Sequence, residues 1–276
     1  MVKNFLQFLW FAPFAFMSWV TSAAADIARP WQLGFQKPES PVMEQVVAFH
    51  DFLLILITVI TLFVLGLLLY IAFKFNEKSN PVPSKTTHNS TLEVLWTAIP
   101  ILILVVVAVP SFKLLYFQDR TTKPEMTLKI VGHQWYWSYE YPDHGKIKFD
   151  SNMVQTKDLK KGQPRLLAVD NPVYLPINTN IRLLMTSADV IHSWALPALI
   201  HKTDSVPGRI NESWVRINST GTYYGQCSEL CGVNHGFMPI MVKAVTKEAF
   251  LAWTETAKKK FASVDDQQTQ DVAQVQ

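Results

Sequence analysis

The run Phe52–Phe73 holds no charged side chain and is bounded by Asp51 and Lys74. Coiled as a helix at about 1.5 Å per residue, it matches a hydrocarbon layer of roughly 30 Å. Such a segment divides a chain across a bilayer instead of letting it collapse around one soluble core. A second run, Trp96–Tyr116, is apolar except for Thr97, Ser111 and Lys113 and is long enough to cross back. Pro100 falls near its start, where a missing N–H costs least, and Pro110 is expected to bend it. The polar stretch 76–90, with Pro81 and Pro83, makes a short connection. Lys74, Lys78 and Lys85 against Glu77 favour placing that connection in the cytoplasm. The segments before and after the pair of spans then lie outside.

The flanking sequence follows the same logic. Lys3, the apolar run Phe5–Val20 and the small-residue exit Thr-Ser-Ala23-Ala-Ala25 describe a secretory signal peptide over 1–25, with a retained helix as the alternative. Residues 26–51, broken by prolines, read as an outer arm with a short helix near Met43–His50. The helical hairpin occupies 52–116. Over 117–260 the pattern changes to short strand-like runs punctuated by Gly, Pro and Asp: Thr127–Tyr141, Leu166–Val169, Ile181–Thr186, Trp214–Ile217, Tyr223–Cys227 and Ile240–Val245. These predict an antiparallel sandwich or barrel with one core. Thr246–Lys260 reads as a closing helix with an apolar stripe of Phe250, Leu251, Trp253 and Ala257 and with lysines in its last turn. The Gln- and Asp-rich tail 261–276 is expected to be disordered. A formal charge of +3 gives no reason to expect nucleic acid.

Chemistry concentrates in Cys227-Ser-Glu229-Leu-Cys231-Gly-Val-Asn-His235-Gly-Phe-Met238, which holds both cysteines of the chain. Thiolate, imidazole and thioether form a soft donor set that suits copper far better than calcium or magnesium. A mononuclear cupredoxin-type centre needs one Cys, so the second thiolate is surplus unless both sulfurs bridge two metals. Each metal would then take one His and one weak ligand. His192, between apolar runs in Asp189-Val-Ile-His192-Ser-Trp194, is the best second imidazole, and Met238 is one weak ligand. The backbone carbonyl of Glu229, turned inward by the Cys-x-x-x-Cys curl, is the other. A disulfide and a zinc site remain as alternatives; the first leaves His192, His235 and Met238 without a role, and the second makes poor use of a thioether. A membrane-tethered copper carrier would use the same ligands, and a thiol oxidoreductase only the cysteines.

The loop resembles the copper-binding loop of subunit II of the haem-copper cytochrome c oxidases, bacterial or mitochondrial. The likeness extends to Gln32-Leu-Gly-Phe-Gln36, Glu93-Val-Leu-Trp96-Thr-Ala-Ile-Pro100, Gly132-His-Gln-Trp135-Tyr-Trp-Ser-Tyr-Glu140 and Lys202-Thr-Asp204-Ser-Val-Pro-Gly-Arg209, in the family's order. Quinol-oxidising relatives share the architecture but lack the copper ligands. The resemblance implies a two-helix transmembrane hairpin followed by an all-β cupredoxin-like Greek-key sandwich or barrel carrying dinuclear copper A. It implies a subunit that accepts electrons from cytochrome c and passes them to haem in subunit I, where haems and copper B reduce oxygen with proton pumping. Subunit III and membrane lipid are further implied partners. The bacterial plasma membrane or the mitochondrial inner membrane is the implied location, with the copper domain on the periplasmic or intermembrane side.

The resemblance also distributes roles. Trp135 matches the ring through which electrons arrive, although strand alternation alone places Trp135, Trp137, Tyr139 and Tyr141 on one face and does not choose among them. Glu140, Asp170, Asp189 and Asp204 match the carboxylates that dock a basic cytochrome c. Ala188 stands where mitochondrial relatives often place another acid. The Glu229 carboxylate matches a ligand to magnesium or manganese at the interface with subunit I, Arg209 matches a residue near that interface, and Glu93 stands at the mouth of a proton-uptake channel. Core packing for each ring, a solvated surface for each carboxylate and an ordinary helix-start placement for Glu93 are the plain alternatives.

Overall fold

The computed structural model describes residues 27–119, 123–145 and 147–273. The expected signal peptide, 1–25, lies outside the described residues. Helix α1 spans Pro41–Lys74 and α2 spans Ser90–Asp119. At the start of α1 the Ser40 hydroxyl accepts from Met43 N at 3.1 Å and donates to the Leu199 carbonyl, while Pro41 takes a position where no N–H is needed. The short helix expected at 43–50 and the apolar run at 52–73 are one continuous helix. After Pro41 the segment contains no proline and only Gly66, so nothing interrupts it. At the start of α2 Asn89 Oδ1 accepts from Leu92 N, and Glu93 Oε1 accepts from Asn89 N, each at 3.2 Å. The most apolar stretches of both helices have no part buried within the protein, so lipid or other subunits must cover them. Both helices are long and apolar enough to cross a membrane.

Ten strands follow: β1 Met126–His133, β2 Tyr136–Tyr141, β3 Ile147–Ser151, β4 Val173–Pro176, β5 Ile181–Ser187, β6 His192–Leu196, β7 Ile200–Ser205, β8 Asn211–Val215, β9 Gly221–Cys227 and β10 Pro239–Val245. They form two sheets ordered β3-β2-β1-β5-β8 and β4-β10-β9-β6-β7. The expectation of a purely antiparallel arrangement needs correction, because β1 runs parallel to β5 and β4 parallel to β10. Both pairs join strands far apart in the chain, where no tight hairpin dictates opposite directions. Alternating burial along β1 and β5 sends Leu128, Ile130, Leu183 and Met185 into the space between the sheets. Trp137, Tyr139 and Trp194 fill the same core.

Two expected strands differ in detail. Thr127–Tyr141 is a hairpin, with Gln134 and Trp135 between β1 and β2. No turn-forming residue marks 134–135; long-range hydrogen bonds described below hold the reversal. Leu166–Val169 is mostly turn, with one bridge from Val169 to Met153. Leu167 and Val169 instead pack with Tyr224 and Met241 in a small separate cluster.

Helix α3, Lys247–Ala273, runs well beyond Lys260, so the stretch expected to be disordered after Phe261 continues as helix as far as Ala273. It contains neither proline nor glycine, and its Gln and Ala residues favour helix. Lys258–Lys260 consequently lie inside the helix rather than in its last turn. Its inward stripe is the buried Phe250, Thr254 and Ala257 with the half-buried Trp253 and Phe261, and Leu251 is exposed. Ring contacts of 4.8 Å between Trp253 and Tyr174 and 4.7 Å between Phe261 and Phe149 close the β3–β4 edge.

The opposite edge meets the membrane helices. Trp214 Nε1 donates to the Phe117 carbonyl at 2.8 Å, and its ring meets Phe117 edge-on at 5.3 Å. Glu39 N donates to the Ala198 carbonyl at 2.8 Å, and Asn218 Nδ2 to Glu44 Oε1 at 2.9 Å. Bonds to both helices thus seat the sandwich on the outer end of the hairpin.

Candidate metal centre

Strand β9 ends at Cys227, the loop 228–238 turns back, and β10 begins at Pro239 beside Gln226. The antiparallel pairing of β9 with β10 closes this loop at its base. Strand β6 pairs with the end of β9, setting Trp194 opposite Cys227 and bringing His192 alongside. That approach requires glycine at 225, where a Cβ would lie 1.8 Å from the Ala195 carbonyl oxygen.

The expected donors converge. The two Sγ atoms are 3.8 Å apart and are free thiols, well beyond the roughly 2.05 Å of a disulfide. His192 Nδ1 stands 3.8 Å from Cys227 Sγ, and His235 Nδ1 stands 3.5 Å from Cys231 Sγ. The Glu229 carbonyl lies 3.3 Å from Cys227 Sγ, and Met238 Sδ lies 3.5 Å from Cys231 Sγ. His192, Cys227 and Cys231 present ligand atoms within 4.8 Å of one another, a cluster able to hold a metal ion. Each sulfur therefore has one imidazole nitrogen and one weak donor on its own side. Cys227, Cys231, His192 and Met238 are buried, and His235 is half-buried.

The electrostatics prepare one thiol first. Burial works against ionising Cys227, yet hydrogen bonds from His192, the backbone of Glu229 and Ser193, and His235 bring it down to about 7. Burial and the neighbouring Cys227 charge push Cys231 up to about 12. Burial also opposes protonation of His192, but its bonds to Cys227 and Asp189 raise its pKa overall.

Around these donors lie residues whose roles the sequence pattern did not reveal. Gln134 Nε2 and Trp135 Nε1 both donate to the Cys231 carbonyl, at 2.8 and 3.2 Å. Trp137 Nε1 donates to the Met238 carbonyl at 3.2 Å. Gly132 makes room for His192, because a Cβ there would stand 2.7 Å from the ring. A glycine inside a strand-like run is a signal of close approach, and Gly132 is such a residue.

The remaining expected residues separate into groups. Trp135 is half-exposed in the β1–β2 turn, whereas Trp137, Tyr139 and Tyr141 are buried. Asp189 lies at the surface with 32% of its side chain accessible, yet its carboxylate is engaged on both oxygens: Oδ1 lies 2.8 Å from His192 Nε2 and Oδ2 accepts from Gln134 N at 2.7 Å. Burial raises its pKa, but these bonds and one from Val190 N leave it below the usual carboxylate value. Glu140 pairs with Lys129 at 3.2 Å. Asp170 accepts from Asn152 N at 2.8 Å and Asn171 N at 2.7 Å, holding the loop after β3. Asp204 lines a cavity of about 360 Å³ at the junction with the membrane helices, together with Asp119, His201 and Glu212. The Glu229 carboxylate is half-exposed and lies 3.7 Å from Lys202 Nζ. Arg209 is exposed in the turn before β8, and Glu93 lies at the far end of the hairpin in the first turn of α2.

A cluster of soft donors at one end of a β-sandwich, anchored by two membrane spans, defines a membrane-tethered metalloprotein of cupredoxin-like build. Residues 126–245 match the family model for the periplasmic domain of cytochrome c oxidase subunit II, and residues 28–114 match that for its transmembrane domain. A probable cytochrome c oxidase subunit 2 of Rickettsia bellii is 53% identical over 85% of this chain and 87% of its own length. The cytochrome c oxidase subunit 2 of Phytophthora megasperma is 51% identical over 83% of this chain and 88% of its own. The crystal structure of the periplasmic domain of subunit II from Bradyrhizobium japonicum is 54% identical, covers 51% of this chain and 99% of that one, and superposes with a TM-score of 0.48. The chain belongs to the cytochrome c oxidase subunit II family.

Proposed function

We propose that Cys227, Cys231, His192, His235, Met238 and the Glu229 carbonyl hold two copper ions as a copper A centre within an electron-transfer subunit of cytochrome c oxidase. The observation that carries this reading is the pairing of donors: two sulfurs 3.8 Å apart, with an imidazole nitrogen and a weak ligand beside each. Donors arranged this way suit two soft ions sharing a pair of thiolates, and a single ion would leave half of them idle. A copper pair held there would supply reversible one-electron storage. The surrounding residues keep the donor positions fixed, which limits the rearrangement that accompanies electron transfer.

In this reading the protein conveys electrons from cytochrome c toward subunit I. Trp135 is the proposed receiving ring. It is half-exposed, and its Nε1–H on the Cys231 carbonyl joins the protein surface to a ligand residue through a single hydrogen bond. Glu140, Asp170, Asp189 and Asp204 are the proposed docking charges for a basic cytochrome c. Long-range attraction should raise the encounter rate and fade with salt.

The Glu229 carbonyl lies beside Cys227 Sγ while its carboxylate is half-exposed, so Glu229 is also proposed to offer a hard oxygen to magnesium or manganese at the boundary with subunit I. Arg209 is assigned to the same boundary and Glu93 to the start of proton uptake on the opposite side. The lipid-facing surfaces of α1 and α2 leave room for subunit I, for subunit III and for lipid.

Rapid mixing of reduced cytochrome c with the intact oxidase tests the reading. Absorbance from the copper centre should change before haem reduction, and the rate should fall as ionic strength rises above its optimum. Haem reduction with no preceding copper signal would contradict it.

A further inference from the structure

We propose that Asp189 is a positioning residue whose single carboxylate fixes both the His192 ring and the electron-receiving turn that carries Trp135. The proposal rests on the dinuclear copper reading of the preceding section. Asp189 occupies the connection between β5 and β6, three residues before His192. Its Oδ1 receives His192 Nε2 at 2.8 Å and Val190 N at 2.6 Å, and Ser187 Oγ lies 3.3 Å away. Its Oδ2 receives Gln134 N at 2.7 Å. One oxygen thus serves the ligand side and the other serves the turn.

The chemistry of the ring gives the first contact its meaning. With Nε2–H donated to the carboxylate, the lone pair belongs to Nδ1, the nitrogen that faces Cys227 Sγ at 3.8 Å. The ring cannot drift far, because Gly132 closes one side and Trp137 meets it at 5.8 Å and 63°. The second contact acts on the turn. Gln134 and Trp135 are held from one direction by Asp189 and from another by the Cys231 carbonyl. The carboxylate is thereby linked to both sides of the centre: directly to His192, and through two residues of the turn to Cys231.

His235 offers an internal contrast. Among the described residues its Nε2 has no hydrogen-bond partner, and the ring is half-exposed. Asp189 therefore creates a difference between the two imidazoles that the symmetric donor pairing alone would not.

This role separates experimentally from that of a docking charge. In the intact oxidase, Asp189→Asn should alter the histidine-nitrogen couplings in the copper electron-nuclear double resonance spectrum and shift the reduction potential. It should also make copper loss to a chelator about 10–100-fold faster. Glu140→Gln, at a proposed docking position, should change the dependence of cytochrome c oxidation on ionic strength and leave the couplings alone. Unchanged couplings, potential and copper retention in Asp189→Asn, with or without a weaker salt dependence, would overturn the proposal. Asp189→Glu should restore part of the copper retention, which a pure packing defect would not allow. The unaltered complex separates the two layers of the argument: if it shows no shared-copper signal, the copper reading fails, and if it does, the variants judge Asp189 alone.

Discussion

The two sides of the metal centre are built differently. On the His192 side the ring is fully buried, bonded to Asp189, bounded by Gly132 and Trp137, and carried on a strand within a five-stranded sheet. On the His235 side the ring sits in a single helical turn of the loop, half-exposed, beside the exposed apolar residues Leu230 and Val233, at 78% and 83% exposure. A rigid wall faces a thinner, more open one. The first keeps a ligand in place when the metal changes charge, and the second leaves apolar surface available to another protein.

The largest effects should come from the sulfurs, which belong to both sides. Cys227→Ser or Cys231→Ser should abolish the shared-copper paramagnetic signal, and metal analysis of the purified complex checks the loss. Next, Gly132→Ala should strike the His192 side selectively, since the new Cβ would stand 2.7 Å from the ring. Copper content or retention should drop about 10–100-fold. Gly236→Ala is the matched change beside His235, where a Cβ meets nothing within 4 Å, and should leave copper content unchanged. Equal losses from the two glycine changes would erase the comparison.

Met238→Leu should have a moderate effect: copper retained, reduction potential altered, as measured by redox titration. The smallest effect concerns the metal-free protein. Cys227, lowered to about 7, should be alkylated increasingly fast as pH rises through that value, because the thiolate is the reactive form. Cys231, held above the ordinary thiol value by burial and by the charge of Cys227, should lag, which mass spectrometry of the labelled peptides would reveal.

The parts of this molecule legible in its sequence are those fixed by local pattern. Uncharged runs mark both spans, and the spacing of Cys227, Cys231, His235 and Met238 marks the loop because one short segment carries all four. His192 is legible only as a histidine between apolar runs, since its place depends on β6 pairing with β9. The reversal at Gln134–Trp135 is not legible, because its residues are poor turn formers and bonds to Asp189 and Cys231 hold it. Asp189 reads as a surface acid, which it is, but nothing in its neighbours shows that its carboxylate also holds His192 and the Gln134 N–H. The length of α3 was obscured by polar composition, which suggests disorder even where no residue breaks a helix.

The most direct measurement is the low-temperature electron paramagnetic resonance spectrum of the intact, oxidised complex. The account predicts one unpaired electron divided equally between two coppers, with hyperfine splitting from both nuclei. A signal from a single localised copper at this loop, or a metal-free loop with Cys227 joined to Cys231, would contradict it.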